Sequence, residues 1–310
     1  MEPFKSLAAD WRPPEIPADI AHGDMPGDQI CIDQEHIRKA RIIFPELAAR
    51  LAALSSPGGR AVASVCGGSG VGKSEIASVL GYYLRQMGAG AYILSGDNYP
   101  RRIPSDNDAE RLRVFRVCGL RGLIDSGCYQ EDMGAALREL WREEKDADLS
   151  VAASIPWLSV YQQAGRRALS GYLGTPAEID FDEINGVISR FKRGARTIAL
   201  KRMGRDRLDL WYDNVDFSAV QVLIVEWTHG NSAYLQGVDL PILLNSTPEE
   251  TLMHRRARNR DGKTDSAFTG MVLKIEQQKL EEQAAKAKII LSKSGELLEY
   301  ADYRRLMAGA

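Results

Sequence analysis

Short apolar runs alternate with helical patterns over most of the chain. Such runs are typical of strands buried on both faces, whereas the helical patterns repeat every three to four positions. Strands are predicted at 61–66, 91–95, 220–225, 240–244 and 288–291. Helices are predicted beside them at 74–87, 248–259 and 266–285. This alternation predicts an α/β fold, in which helices cover both faces of a parallel sheet.

The first 59 residues precede this alternation. Prolines and glycines are frequent in residues 1–30, which we expect to wrap over the surface or to remain partly mobile. One helical face follows, formed by Ile37, Ala40, Phe44, Leu47, Leu51 and Leu54. Pro45 interrupts this face, so we expect two short helices or a kink, with Asp33 capping the first helix. The breaker at 55–59 then separates an N-terminal extension, 1–59, from a core, 60–310.

A long segment interrupts the core between its second and third predicted strands. It contains helical patterns at about 108–145, 157–170 and 180–192, and a predicted hairpin of 197–202 and 207–212 that turns at 203–206. We interpret residues 100–175 as a largely helical insertion on the substrate side of the core rather than as a separately folding domain.

Composition narrows the choice of partners and of compartment. The 310 residues carry a net charge of −2, which gives no reason to expect nucleic acid or an anionic membrane as a partner. No apolar run reaches the roughly 18 residues of a membrane span, and the first 30 residues do not resemble a signal peptide. The four cysteines form no C-x-x-C pair and have no histidine at metal-ligand spacing; they are Cys31, Cys66, Cys118 and Cys128. We therefore expect reduced thiols in a cytoplasmic protein, with a homodimer as one possible assembly.

The strand at 61–66 leads directly into a full match to the phosphate-binding pattern G-x-x-x-x-G-K-[ST]. The matching residues are Gly67, Gly68, Ser69, Gly70, Val71, Gly72, Lys73 and Ser74. Glycines let the backbone curl around phosphate oxygens, and the following helix adds its positive N-terminal end. Lys73 can reach the β- and γ-phosphates, and the Ser74 hydroxyl can ligate Mg²⁺. The sequence therefore predicts a P-loop NTPase-type fold that binds a nucleoside triphosphate and Mg²⁺.

Two carboxylates follow predicted strands and are expected to face the triphosphate. Glu226 ends an apolar strand, where it could hold or orient the hydration shell of Mg²⁺ beside Ser74. Asp97 follows another strand and could accept the proton of an alcohol that attacks the γ-phosphate. A turn-capping role is the alternative for Asp97, because a glycine and a proline lie close to it. With Lys73, these residues form the predicted catalytic set.

The order of these motifs resembles that of the uridine kinase and phosphoribulokinase group of P-loop kinases. Besides the P-loop, the segments that carry the resemblance are Leu94–Tyr99, Pro176–Asp182, Val222–Glu226, Arg255–Arg260 and Ala287–Leu291. It covers about residues 60–122 and 174–292. It implies an ATP- and Mg²⁺-dependent kinase that phosphorylates an alcohol group of a small molecule, with Asp97 as the catalytic carboxylate.

Two departures from the group concern the acceptor. Ala177 stands where uridine kinases carry an aspartate that contacts the ribose, and the stretch between Asp97 and Pro176 is far longer than in compact nucleoside kinases. Both disfavour uridine and cytidine. A sugar, a sugar phosphate, another nucleoside-like molecule and a hydroxy acid remain open as acceptors.

Two basic clusters have alternative interpretations. The family resemblance implies a lid in which Arg255, Arg256 and Arg258 contact phosphate, and a solvated helix face is the alternative. The first arginine cluster, which consists of Arg101, Arg102, Arg111, Arg113 and Arg116, would suit an anionic acceptor if it faced the pocket, or water if it lay on an amphipathic helix. The residues predicted on the substrate side are Asp97, Tyr99, Arg101, Arg102, Asp180 and His229.

Two classes of function therefore stay open from the sequence. The first is a small-molecule kinase, which becomes a sugar-phosphate kinase of the phosphoribulokinase sort if the first arginine cluster binds an anion. The second is a P-loop nucleotide hydrolase that acts as a switch or chaperone for a protein partner. Such GTPases usually carry an Asn-Lys-x-Asp motif, which this sequence lacks.

Overall fold

The computed structural model describes residues 11–17, 19–54, 59–258 and 266–308, apart from the side chains of His254, Ala257 and Arg258. The helices are α1 (Gln34–Ala53), α2 (Lys73–Gln86), α3 (Pro104–Asp125), α4 (Met133–Arg142), α5 (Leu149–Ala152), α6 (Pro156–Tyr172), α7 (Phe181–Lys192), α8 (Leu252–Arg258), α9 (Ala267–Gln283) and α10 (Tyr300–Ala308). The strands are β1 (Ala61–Gly67), β2 (Ala91–Ser95), β3 (Thr197–Met203), β4 (Leu210–Asp216), β5 (Val222–Glu226), β6 (Leu240–Leu244) and β7 (Ile289–Leu291). Within these residues, no helix combines the length and the apolarity that crossing a membrane requires.

A five-stranded parallel sheet with the order β2-β5-β1-β6-β7 forms the centre of the fold. All seven residues of β1 and all five of β5 are buried, because helices flank the sheet. The predicted α/β fold with a parallel sheet is confirmed, and the predicted strands lie within two residues of the observed ones. Since all strands run in the same direction, β1, β2 and β5 end at the same edge of the sheet, where ligands of such folds bind.

The helix of the N-terminal extension is continuous through Pro45, so two short helices are not formed, and a kink at Pro45 stays a prediction. Asp33 caps it as predicted, because its side chain accepts a hydrogen bond from the His36 backbone N–H. An interior proline costs about 3 kcal/mol. Burial of Phe44 and Leu47, both fully inaccessible, contributes about 1.5–3 kcal/mol each and offsets that cost. Tertiary packing therefore overrides the local penalty.

The chain divides into two compact units. The first comprises residues 1–99, 180–251 and 280–310, and it contains the parallel sheet, the P-loop and the helix of the N-terminal extension. The second comprises residues 100–179 and 252–279 and is helical. It has its own buried core, which includes Phe115, Tyr161 and Ile275. That residues 100–175 do not fold separately stays a prediction.

Helix pairing in the second unit depends on small residues. A Cβ atom on Gly119 would lie 2.6 Å from the Tyr161 ring, and one on Gly165 would lie 2.6 Å from the Phe115 ring. These glycines let α3 and α6 pack at short range. The helical pattern predicted at about 108–145 is broken between α3 and α4, where Gly127 adopts a φ of 69°.

The predicted hairpin is present as β3 and β4. Its last pair is Met203 with Leu210, so the connection is longer than the predicted turn at 203–206. An unanticipated link ties it to the sheet: the buried Arg60 donates hydrogen bonds to the carbonyls of Phe191, Ala195 and Phe217 at 2.8, 2.8 and 2.7 Å. One guanidinium group thus joins the start of β1 to the segments that flank β3 and β4.

Candidate active site

The P-loop connects the central strand of the sheet to α2. β1 ends at Gly67, and α2 begins at Lys73. Gly72 precedes the helix with a φ of 91°, a conformation that favours glycine, and this lets the chain turn directly into the helix. The Lys73 ammonium group donates to the Gly68 carbonyl at 3.0 Å, so it lies on the loop itself. The arrangement fits a phosphate site with its lysine in place.

Glu226 ends β5, beside the P-loop strand. Its Oε2 accepts a hydrogen bond from the Ser74 hydroxyl at 3.1 Å, and its Oε1 accepts one from the Ser95 hydroxyl at 2.7 Å. Burial and, after it, the charge of Asp97 raise the pKa of Glu226 to about 8, and Lys73 opposes the rise. A buried carboxylate with a shifted pKa beside a serine hydroxyl and two other charges is typical of functional sites, which makes Glu226 a candidate site residue.

Asp97 is the middle residue of a single 3-10 turn, Gly96–Asn98, that directly follows β2. It is exposed, and its charge raises the pKa of Glu226, which places both carboxylates at the same edge of the sheet. Gly96 packs on Trp227 so closely that a Cβ atom would overlap the indole ring. The close packing therefore requires glycine at this position, and contact of Asp97 with a substrate stays a prediction.

The residues at this edge fit a magnesium ion that is shared with a triphosphate. Mg²⁺ prefers oxygen ligands and retains several waters, so one or two protein groups suffice. The Ser74 hydroxyl and the Glu226 carboxylate supply such oxygens within 3.1 Å of each other. No cluster of three or more metal-ligating side chains occurs in the described part of the chain. The remaining ligands would come from phosphate and water, and the cation would offset the buried charge of Glu226.

Packing or helix capping accounts for the positions of three predicted substrate residues in the first unit. Tyr99 is fully buried, burial raises its pKa, and its hydroxyl has no hydrogen-bond partner among the described residues. Asp180 caps α7 by accepting from the Glu183 backbone N–H at 3.2 Å. His229 is 8% exposed and packs edge-on against Trp227. Packing and capping explain these positions, and their contact with a substrate stays a prediction.

The first arginine cluster lies in the second unit and is largely engaged in ion pairs. Arg111 contacts the buried Glu178 at 2.6 Å, and Arg116 contacts the buried Asp146 at 3.0 Å. Neither interpretation from the sequence anticipated this, since the carboxylate partners are distant along the chain. Nearby, Arg101 donates to the Pro176 carbonyl at 2.8 Å. Arg102 donates to the Tyr172 hydroxyl at 3.1 Å.

The predicted lid is described only in part. Arg255 and Arg256 lie on α8 in the second unit. The side chain of Arg258 and the whole of residues 259–265, which include Arg260 and Lys263, lie outside the described residues. Contact between these arginines and phosphate therefore stays a prediction.

Sequence reasoning missed a residue that borders the site from the N-terminal extension. Asp24 accepts hydrogen bonds from the Ser95 backbone N–H at 2.8 Å and from the Asn98 amide at 3.1 Å, on either side of Asp97. Nothing in the proline- and glycine-rich stretch around Asp24 signals this role. A lone acidic residue in such a stretch is normally a solvated turn residue.

One curated relative matches most of the chain. This chain is 39% identical to the bifunctional alpha-galactosidase/sucrose kinase AgaSK of Mediterraneibacter gnavus over 240 residues, which are 77% of this chain. The chain spans only about a fifth of that protein, 21% of its length. This chain has a P-loop NTPase-type fold. The fold that the sequence predicted is therefore confirmed. No protein-family model matches the chain.

Two solved structures align with most of this chain. The first is a provisionally named fructose transport system kinase from Silicibacter sp. TM1040, which is 15% identical with a TM-score of 0.46. The alignment covers 80% of this chain and 94% of that structure's chain. A "possible uridine kinase" from Bacillus stearothermophilus is 12% identical, with a TM-score of 0.41 and coverages of 79% and 98%. Both TM-scores are below 0.5, so the assignment depends on the P-loop geometry and the curated relative.

Proposed function

We propose that this chain is an ATP- and Mg²⁺-dependent kinase that transfers the γ-phosphate to a hydroxyl group of a neutral sugar of the sucrose class. The observation that carries the proposal is the arrangement at the edge of the sheet. Lys73 lies on the phosphate loop, Ser74 and Glu226 form a metal-side pair, and Asp97 is exposed beside them. These are the parts that phosphoryl transfer needs: a cation at the phosphates, a metal site and a group that accepts the alcohol proton.

The relative supports a sugar as acceptor. Its name combines a hydrolase and a kinase activity, and the matched region is about a fifth of it. A P-loop serves phosphoryl transfer, whereas glycoside hydrolysis depends on a pair of carboxylates that flank the glycosidic bond. The stretch shared with this chain is therefore attributed to the kinase activity, whose named acceptor is sucrose.

The arginine contacts in the second unit favour a neutral acceptor over an anionic one. The ion pairs of Arg111 with Glu178 and of Arg116 with Asp146 already use guanidinium groups that a sugar phosphate would need. Free cysteines and the lack of a membrane-spanning helix among the described residues are compatible with a reaction in the cytoplasm. A homodimer stays a prediction.

Coupled ADP release against a panel of acceptors tests the proposal. The panel contains sucrose, its component monosaccharides, a sugar phosphate, glycerate and uridine, with Lys73→Ala as the inactive control. We expect acceptor-dependent turnover that is highest with a neutral sugar, together with a product that has gained one phosphoryl group by mass spectrometry. ADP release that is independent of every acceptor would instead support the nucleotide hydrolase.

A further inference from the structure

Asp24 is a buried carboxylate that bonds both ends of the turn that carries Asp97. Its side chain is 9% exposed, although the residue lies in the segment before α1. The Oδ1 atom accepts from the Ser95 N–H at 2.8 Å and from the Asn98 amide at 3.1 Å. Ser95 immediately precedes the turn, and Asn98 is its last residue. One oxygen atom therefore spans the turn at whose centre Asp97 lies.

The second oxygen of the same carboxylate ties the turn to the hairpin. Oδ2 accepts from Arg202 at 2.8 Å and from the Tyr92 hydroxyl at 2.9 Å. The side-chain oxygen Oδ1 of Asn98 accepts in turn from the Met203 backbone N–H at 3.0 Å. The turn is therefore held from two sides, by Asp24 and by β3, and Arg202 joins these two supports.

The residue before Asp24 lies against the metal-side carboxylate. A Cβ atom on Gly23 would lie 3.2 Å from Oε1 of Glu226 and 3.8 Å from Cβ of Ser95. The segment around Asp24 thus borders both acidic groups of the site, and loss of the Asp24 hydrogen bonds would affect the turn that carries Asp97.

We propose that Asp24 is a positioning residue for phosphoryl transfer, which holds Asp97 at its working place through the hydrogen bonds to Ser95 and Asn98. This inference rests on the proposed function. A positioned proton acceptor is sensitive to displacement, and a shift of about 1 Å can cost about 10²-fold in rate. Asp24 acts through the turn, so its loss should lower kcat and leave nucleotide affinity unchanged.

A matched pair of variants isolates the two hydrogen bonds from the charge. In an Arg202→Met background, Asp24→Asn keeps a side-chain oxygen that can accept from Ser95 and Asn98, whereas Asp24→Ala removes it. Arg202→Met removes the positive charge, and both Asp24→Asn and Asp24→Ala remove the negative one. Neither double variant therefore buries an unpaired charge from this ion pair. Asp19→Asn, an exposed change in the same segment, is the control for unspecific effects.

We expect kcat of the alanine variant to be about 10- to 100-fold below that of the asparagine variant, with nucleotide affinity equal in the two. Equal kcat values, or a loss of nucleotide affinity parallel to kcat, would overturn the role of Asp24. If a double variant fails to fold, the pair Asp24→Asn and Asp24→Ala in the wild-type background makes the same comparison. Wild-type turnover is measured first. Its absence would overturn the proposed function, whereas an active wild type with an equally active pair overturns only the positioning role.

Discussion

Glu226 is the residue whose environment says most about the chemistry of the site. Burial and, after it, the nearby charge of Asp97 raise its pKa to about 8, and Lys73 counteracts the rise. A divalent cation beside Ser74 would favour the ionised carboxylate for the same reason that Lys73 does. The nucleotide-bound metal and the charge of Glu226 are therefore expected to stabilise each other.

Substitutions at the metal-side pair should raise the Mg²⁺ requirement. Ser74→Ala removes an oxygen ligand of the cation and Glu226→Gln removes a negative charge beside it, and such losses typically cost about 10- to 100-fold in metal affinity. We expect the Mg²⁺ concentration for half-maximal turnover to rise by at least about tenfold in both.

A buried serine one turn along the same helix provides the control. The Ser78 hydroxyl donates to the Ser74 carbonyl at 2.6 Å and makes no contact with Glu226 in the structure. Ser78→Ala should therefore leave the Mg²⁺ titration unchanged. A Glu226→Gln titration that coincides with the wild-type curve would make Glu226 a structural residue.

The residues of the site differ in how far the sequence predicts them. The P-loop and Glu226 can be singled out from the sequence because each depends on a local pattern, a fixed spacing or a strand end, and their roles stay predictions. Asp24 could not be found in this way. Its partners Ser95, Asn98 and Arg202 lie 71, 74 and 178 positions further along the chain, so no local pattern links them.

At the scale of elements, Arg60 joins the sheet to the segments around the hairpin. Arg60→Ala would remove three hydrogen bonds, each with a net contribution of about 0.5–1.5 kcal/mol. The carbonyls of Phe191 and Phe217 keep backbone donors, the N–H groups of Gly194 and Val220. We expect a clearly lower melting temperature, with turnover per folded molecule close to wild type because Arg60 makes none of the site contacts.

Arg190 offers a matched control for this variant. It lies exposed on α7 and donates one long bond of 3.3 Å to the Gly186 carbonyl. Arg190→Ala should leave the melting temperature almost unchanged. Equal melting temperatures for the two variants would show that the Arg60 contacts do not support the fold.

Elements with strong periodicity are predicted best, and their interruptions are predicted worst. The strands are recognised because burial on both faces leaves continuous apolar runs. Two short helices are one of the two outcomes expected at Pro45, but burial of Phe44 and Leu47 offsets the local cost of the proline, and the sequence alone does not quantify that burial. The break between α3 and α4 is missed because apolar residues continue the helical spacing on both sides of Gly127.

At the scale of the whole molecule, nucleotide binding should stabilise the fold through the P-loop. A ligand at about 100 times its Kd adds about 2.7 kcal/mol to the free energy of unfolding. We expect ATP with Mg²⁺ to raise the melting temperature of the wild type and to have a much smaller effect on Lys73→Ala. Turnover of that variant should fall by about 10²-fold or more, because the phosphates lose their fixed cation.

The exposed Lys286 provides the control for the loss of a lysine. Lys286→Ala should show the wild-type thermal shift and turnover. If Lys73→Ala keeps both, the phosphate-binding role of the loop is wrong.

Transfer of a labelled γ-phosphate from ATP to the sugar by Asp97→Asn tests the central claim most directly. The amide keeps the size of the side chain and cannot accept the alcohol proton. The account predicts that turnover falls by about 10²- to 10⁴-fold, with nucleotide affinity and melting temperature close to wild type. Turnover within about threefold of wild type, far short of the loss of a general base, together with a lowered melting temperature, would contradict it and make Asp97 a turn-capping residue.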